Sequence, residues 1–467
     1  MSTPDPASMT PRQKSLAFFT LITGLVLEIV DVTIVNTALP AIQHDFGGNG
    51  AAAQWIVAGY ALAFSMLLIL GGRLGDLFGA RAMFLLGVAG FTLASLACGA
   101  AGSADQLIAA RVAQGAAGAI MAPQVLTMIQ LLYTPVERIS RLAWFGVVGG
   151  LAAISGPILG GLLIAANLGG LGWRTVFLIN GPVGVAAILA GWWLLPRHRP
   201  ERRARLDLVG TAMFGIALAA LFVPLVQGEH AAFGVGSAAL LIAGVALLAF
   251  TWRLLKARAA RGAPVVFDPA LLDNAVFRNG MGIAFGFSAA NTGFLFLFAY
   301  TLQKLSGYTP LQAGLIHLPF SAGVMFGMAV MGRKLAAKAG KWLIIGGVGL
   351  LAIFYGGTLA WIALDSRVLW TLLPLVLAAG VGMGMVSGPI TPIAVSRVSR
   401  EHAGAASGIL KTVQQIGGAF GVALAGGAYF AIGSEQRLTP AIVVIELLLA
   451  ACALCAMRLP HRIFDRD

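Results

Sequence analysis

Residues 24–40 read GLVLEIVDVTIVNTALP, an apolar run broken by Glu28 and Asp31. The run is greasy enough to sit in a lipid bilayer. A carboxylate at mid-bilayer costs on the order of 2.5–3.5 kcal/mol even on lenient insertion scales. Two of them, three residues apart, must either face away from lipid or be an error of assignment. The rest of the chain decides between these. It is 58% hydrophobic and 10% charged over 467 residues, with a mean hydropathy of +0.88. A soluble domain is roughly 25% charged, and no soluble fold of this length could bury so much apolar surface. The composition predicts an all-α integral membrane protein that crosses the bilayer many times.

Breaks at charged and Pro/Gly-rich turns divide the chain into fourteen candidate spans: 16–39, 53–71, 82–101, 105–130, 141–164, 173–195, 206–226, 234–254, 276–301, 310–332, 341–363, 370–396, 402–432 and 439–458. Each is close to or above the ~20 residues that cross a hydrocarbon core. The net charge of +13 might suggest a nucleic-acid partner. Its placement argues against one. With the N-terminus in the cytoplasm, 26 of the 31 Lys and Arg fall on the cytoplasmic side. Arg174, Lys304, Arg367 and Arg437 fall outside, and Arg111 lies within a span. The clusters at 197–205, 253–261 and 333–341 all face inward in one phase. The positive-inside rule therefore sets the orientation, with both termini cytoplasmic. The polar start before the first full-length span predicts no cleaved signal peptide. Cys98, Cys452 and Cys455 lie in spans, and the lone CALC pair (452–455) predicts no zinc or redox site.

An offset of 261 residues lays span 1 on span 9 and keeps step through span 6 on span 14. GGRLGDLFG (71–79) then meets GRKLAAKAG (332–340), and GPILG (156–160) meets GGAFG (417–421). Both copies start in the cytoplasm, so the repeat is parallel. This predicts two six-helix bundles, 1–195 and 276–467, related by a pseudo-two-fold axis along the membrane normal. A two-helix hairpin within 196–275 is the insert. Transporters recur with this plan and hold their substrate between the halves. GVGMGMVSG (380–388) looks like a nucleotide loop but lies inside an apolar span, where close helix packing explains it. With no Walker A sequence, the energy source expected is an ion gradient, with no bound cofactor.

Three motifs carry chemistry. GRLGDLFGAR (72–81) bridges spans 2 and 3, with Gly72 and Gly79 allowing close approach. Asp76 sits near the N-terminal end of span 3, close to Arg73 and Arg81, as a cytoplasmic latch would; an ordinary polar turn is the alternative. RVAQGAAGAIMAP (111–123) places Arg111 about six residues, or ~9 Å, from the outer face, and Asp31 lies about eight residues, or ~12 Å, deep. Matched depths predict that they pair, unless Arg111 snorkels outward. GGLAAISGPILGGLL (149–163) brings Gly156, Gly160 and Gly161 onto one flat face, with Pro157 bending the helix.

These motifs resemble those of the major facilitator superfamily. Its loop signature between helices 2 and 3 is G-x-L-x-D-x-x-G-R-K/R, with Ala80 here where a basic residue is usual. R-x-x-Q-G in the fourth helix matches from Arg111. G-P-x-x-G-G in the fifth matches from Gly156 and is the drug-exporter signature. WRTVFLINGPVG (173–184), LEIVDVTIVNTALP (27–40), YTLQKLSGYTPLQAG (300–314) and GAASGILKTVQQIGGAFGVAL (404–424) resemble the 14-helix drug:proton antiporters of the EmrB/QacA branch. Gln414 replaces a usual Arg, and Asp31 takes the family's aspartate position. The resemblance implies a bacterial cytoplasmic (inner) membrane protein that exports small amphiphilic or cationic drugs against protons, with a periplasmic adaptor as an optional partner.

Glu28 and Asp31 are then neighbours on one helix face, expected to line the cavity. Two carboxylates this close in a poor dielectric do not ionise together easily, so one is expected to load and release a proton. A simply tolerated Glu28 is the alternative. Asn291 and His317 are candidate cavity residues, His317 being equally readable as a packing histidine. Glu446 is read as protonated or locally paired. The rivals to multidrug export are a narrow exporter of one metabolite or antibiotic, and a receptor or scaffold without flux. An enzyme is not expected.

Overall fold

The computed structural model describes residues 9–47, 50–196, 207–227, 235–263, 265, 269–328, 339–364, 369–398, 403–430 and 438–460. The basic clusters at 197–205 and 333–338, with Arg367 and Arg437, lie outside the described residues. All regular structure described is helical: α1 (Pro11–Phe46), α2 (Gly50–Phe78), α3 (Ala80–Ala100), α4 (Ala104–Leu132), α5 (Pro135–Ala166), α6 (Thr175–Leu178), α7 (Asn180–Leu194), α8 (Leu208–Gln227), α9 (Val235–Ala260), α10 (Ala275–Lys304), α11 (Pro310–Phe326), α12 (Lys341–Ala363), α13 (Leu369–Val395), α14 (Ala403–Phe430) and α15 (Thr439–Met457), with short 3-10 turns.

Local sequence explains where several helices start. α1, α5 and α11 open on the same text, TPRQ, TPVE and TPLQ. The threonine is the N-cap, proline takes the first helical position where no N–H is needed, and Gln or Glu reaches back. At α1, Thr10 N–H donates to Gln13 Oε1 at 2.8 Å and Gln13 N–H to Thr10 Oγ1 at 3.3 Å. At α5, Thr134 N–H donates to Glu137 at 2.9 Å. Gly79, at φ 90°, takes the turn between α2 and α3 that a side chain would strain. Gly340 (φ 51°) takes the same place before α12.

Twelve helical segments among the described residues are long and apolar enough to cross a membrane. α5 contributes Val147–Ala166, and the turn plus α6 and α7 contribute Gly172–Leu194. Two further expected spans are helical without joining that set. α11 is described for 17 residues, and α14 carries Lys411, Gln414 and Gln415 in its first half. Apolar side chains such as Ile242, Val245 and Phe250 on α9, and Leu189 on α7, are exposed, as expected where the surrounding solvent is lipid.

The chain folds into two compact units. One is Met1–Gly48 with Trp55–Thr211, and the other is Asn49–Gln54 with Ala212–Asp467. In the first, α1 packs on α4, α5 and α7, and α3 on α4 and α7. In the second, α10 packs on α13, α14 and α15, and α12 on α13 and α15. Small residues make these contacts close. A Cβ on Gly87 of α3 would overlap Met121 of α4, and one on Gly421 of α14 would overlap the backbone of Ala289 on α10.

Candidate functional site

The first unit holds a buried polar cluster around Asp31, which has no exposed surface. Its Oδ2 forms an ion pair with Arg111 Nη1, from α4. Its Oδ1 accepts from Gln114 Nε2 at 2.8 Å and from Asn180 Nδ2 of α7 at 3.1 Å. Asn180 Nδ2 also donates to Ser95 Oγ at 2.9 Å, and Ser95 in turn to the Phe177 carbonyl at 3.0 Å. Arg111 is as deeply buried. Its Nε donates to the Ile56 carbonyl at 3.1 Å, and Nη1 also to Gln114 Oε1 at 2.7 Å. Its guanidinium lies 4.4 Å from the centre of the Tyr60 ring and 5.8 Å from that of Phe177. Cys98 Sγ adds a contact to Gln114 Oε1 at 3.7 Å.

Four spans thus converge on one carboxylate. Equal depth in the sequence had pointed to Asp31 and Arg111 as partners, and they meet. Asp31, expected to line the cavity, is enclosed here by amides from α4 and α7. Asp31 accepts with both oxygens, and each of these contacts is to a donor. A proton arriving there would remove one acceptor and cancel the charge opposite Arg111, so the contact must rearrange. Glu28, one turn toward the N-terminus of α1, is also buried. Gln114, Asn180, Ser95 and Tyr60 were not singled out from sequence. Gln114 and Asn180 lay in quoted motifs as polar side chains within spans, and that was the signal available.

The turn of α1 just beyond Asp31 meets the glycine motif of α5. A Cβ on Gly156 would collide with Thr33 Oγ1 and sit 3.1 Å from the Ile34 nitrogen. One on Gly160 would be 2.9 Å from Ile34 Cγ1 and 3.1 Å from its carbonyl. Pro157 and Gly161 are buried beside them. Thr33 and Ile34 sit two and three residues beyond Asp31, so the glycine contact adjoins the turn of α1 that the charge and amides hold.

At the motif that joins α2 to α3, Arg73 and Asp76 form a solvent-exposed pair at 3.7 Å. Arg81 is buried, donates to the Trp192 carbonyl on α7, and lies 5.6 Å from the Trp192 ring centre. Gly72 has room around it, with Pro123 3.8 Å from where a Cβ would be. Its neighbour Gly75 has none, because Gln124 of α4 fills the space while donating to the Gly71 carbonyl at 2.8 Å. At the C-terminal end of α1, Asp45 accepts from Trp173 Nε1 at 3.0 Å and Arg174 Nη1 at 2.6 Å. Arg174 also donates to the Ala101 carbonyl at 3.2 Å.

In the second unit, Asn291 Oδ1 accepts from the Tyr355 hydroxyl at 2.6 Å. Tyr355 stacks on Phe294 at 3.7 Å, Phe294 on Phe298 at 5.4 Å, and Phe298 meets His317 edge-on at 4.9 Å. His317 Nδ1 is 2.8 Å from the Ala313 carbonyl. Asn291 and His317 are therefore linked through an aromatic row inside this unit. Glu446 lies against α12, its Oε1 3.0 Å from where a Gly356 Cβ would stand.

Comparison with known proteins gives the relationships. The family model described as Major Facilitator Superfamily matches residues 21–209 and 202–422. The probable actinorhodin transporter of Streptomyces coelicolor is 38% identical over 414 residues, 88% of this chain and 72% of its own. The puromycin resistance protein pur8 of Streptomyces alboniger is 35% identical, covering 91% of this chain and 84% of its own. The multidrug resistance protein Stp of Mycobacterium tuberculosis is 30% identical, covering 86% and 73%. Among solved structures, a bacterial homologue of the human lysosomal transporter Spinster superposes with a TM-score of 0.66 at 15% identity, over 98% of this chain and 100% of that one. At that identity the likeness speaks for the fold alone.

Proposed function

The chain belongs to the major facilitator superfamily and is a multi-pass secondary transporter, and from that premise we propose that it exports amphiphilic and cationic drugs in exchange for protons. It does so by alternating access across a bacterial cytoplasmic membrane, with both termini in the cytoplasm. Fourteen spans divide into two parallel six-helix repeats, 1–195 and 276–467, with the hairpin of 196–275 inserted. The matching helix contacts within the two units support this division, as do the positive-φ glycines 79 and 340, which stand 261 residues apart.

The observation that carries the reading is the buried Asp31–Arg111 pair, closed over by Gln114 and Asn180. An ion pair with no exposed surface stabilises a fold poorly, because desolvation offsets most of the attraction. It is well suited to being switched by one proton. Protonating Asp31 releases Arg111 and the amides, and α1 moves with them. The glycine face of α5 follows α1, since it has no gap to absorb the shift. Asp76 with Arg73 acts as the cytoplasmic latch. No bound cofactor is needed, as the proton gradient supplies the energy.

A second reading, export of one antibiotic, is favoured by the printed names of relatives, which include actinorhodin, puromycin and tetracenomycin C proteins. A panel of lipophilic cations and neutral antibiotics, assayed for efflux, separates the two. Proton coupling is tested with purified protein in proteoliposomes: adding a transported drug should move protons the other way. Drug flux with no pH change would remove the antiport reading.

A further inference from the structure

Two arginines one turn apart on α5 meet different partners. Arg138 is spent on the fold: its Nε donates to the Tyr133 carbonyl at 2.9 Å and its Nη2 to the Gln130 carbonyl at 2.5 Å, closing the end of α4. Arg141 lies on the same face of α5 and is half-buried. Its guanidinium stands 4.9 Å from the centre of the Tyr133 ring and 5.3 Å from that of Phe18. Both rings are buried and meet edge-on at 6.2 Å, so they hold the guanidinium in place. Among the described residues no carbonyl, hydroxyl or carboxylate accepts a hydrogen bond from it.

Glu137 stands four residues before Arg141, at the spacing of a helix ion pair. It is drawn back instead to cap α5, where it accepts from the Thr134 N–H at 2.9 Å and from its hydroxyl at 3.0 Å. A second cation comes from α1. The Lys14 carbonyl accepts from the Tyr133 hydroxyl at 2.8 Å, so the lysine side chain starts beside the ring that carries Arg141. Exposed apolar side chains border these cations. Phe19, its ring 5.9 Å from that of Phe18, is 62% exposed, and Trp144, one turn along α5 from Arg141, is 56% exposed. A fork of unmet N–H donors beside exposed apolar rings suits a ligand with an oxyanion at one end and hydrocarbon at the other. Held against two rings, the planar group loses little freedom when such an oxyanion docks.

We propose that Arg141 and Lys14 bind the phosphate of an anionic phospholipid, with its acyl chains lying against Phe19 and Trp144. A guanidinium can meet two phosphate oxygens at once, and the lysine adds a point charge. A zwitterionic lipid carries a cation of its own next to the phosphate and is held less well. The site needs neither a drug nor a proton gradient, so it is independent of the export reading.

The test is native mass spectrometry of the purified, delipidated full chain, titrated with phosphatidylglycerol or with phosphatidylcholine of the same chains. The tightest retained lipid should be phosphatidylglycerol. Its affinity should fall at least about tenfold in Arg141→Gln and about fivefold in Lys14→Gln, with phosphatidylcholine unchanged in both. Lys14→Gln alters a side chain at the surface, so it carries the test even where Arg141→Gln does not fold. Arg253→Gln, on α9, removes one positive charge elsewhere and should leave the tight site intact. Inorganic phosphate should not displace the lipid. Equal binding of the two lipids by the parent, unchanged phosphatidylglycerol affinity in Lys14→Gln or in folded Arg141→Gln, or an equal loss in Arg253→Gln would each overturn the proposal. Displacement by inorganic phosphate would overturn it too, because the site would then serve a free anion and not a lipid.

Discussion

Replacing Asp31 by Asn tests how much of the buried cluster depends on one charge. The substitution keeps the shape, and Oδ1 can still accept from Gln114 and Asn180. The new amide N–H₂ replaces Oδ2 and faces Arg111 Nη1, donor against donor. Arg111 stays charged and buried. Removing one partner of a buried pair costs about 3–5 kcal/mol. Arg111 retains the Ile56 carbonyl at 3.1 Å, Gln114 Oε1 at 2.7 Å and the Tyr60 face at 4.4 Å, which places the expected loss at the low end, about 3 kcal/mol. Arg111→Met should cost a similar amount by stranding the carboxylate. The double variant strands no charge and should lose no more than either single one. Equilibrium unfolding in mixed micelles at increasing SDS fraction measures all three. A double variant that loses the sum of the singles, about 6 kcal/mol, would refute the pair as a coupled unit. Proton-coupled export should be absent from all three, so the double variant separates stability from function.

Glu28→Gln should lose export of lipophilic cations while keeping part of the flux of neutral drugs, since the lost carboxylate attracts only the former strongly; equal loss of both in inverted vesicles at fixed ΔpH would count against this. Gly156→Ala forces a methyl into Thr33 Oγ1 and should reduce drug efflux by at least about tenfold at equal expression; pairing it with Thr33→Ala should restore part of that, and no recovery would contradict the contact. Asp76→Asn should slow transport without altering the number of protons moved per drug, read by simultaneous pH and drug fluxes; a changed ratio would make Asp76 a proton site and not a latch. Arg174→Ala should weaken the outer tie to Asp45, Trp173 and Ala101 by about 1 kcal/mol, with a smaller effect at high salt if the partly exposed ion pair dominates.

Much of this architecture could be read from the chain because membrane solvent imposes length and hydropathy on every crossing segment. The starts of α1, α5 and α11 were written in three similar tetrapeptides. Asp31 and Arg111 could be matched because depth is nearly one-dimensional in a bilayer, so counting from a helix end locates a partner. Rotation about the helix axis is not so readable. It decides that Asp31 turns into its own unit, toward Asn180, and that Arg81 turns onto Trp192. Spans this apolar on all sides give no stripe from which to infer a facing direction. Tyr60 was missed for another reason: an aromatic residue in a span is ordinary, and only its neighbours make it informative. Asn291, read as a cavity residue, is held by Tyr355, a partner 64 positions away that no local pattern announces.

The glycine contact between α1 and α5 has a mechanical meaning. Side chains in a normal helix interface can change rotamer, so a small displacement on one side is absorbed before it reaches the other. Gly156 and Gly160 have no rotamers, and what they touch includes the backbone of Ile34. The joint therefore has almost no play. A shift of α1 at this point would press on α5 directly, with no methyl group on either glycine to lie between the helices.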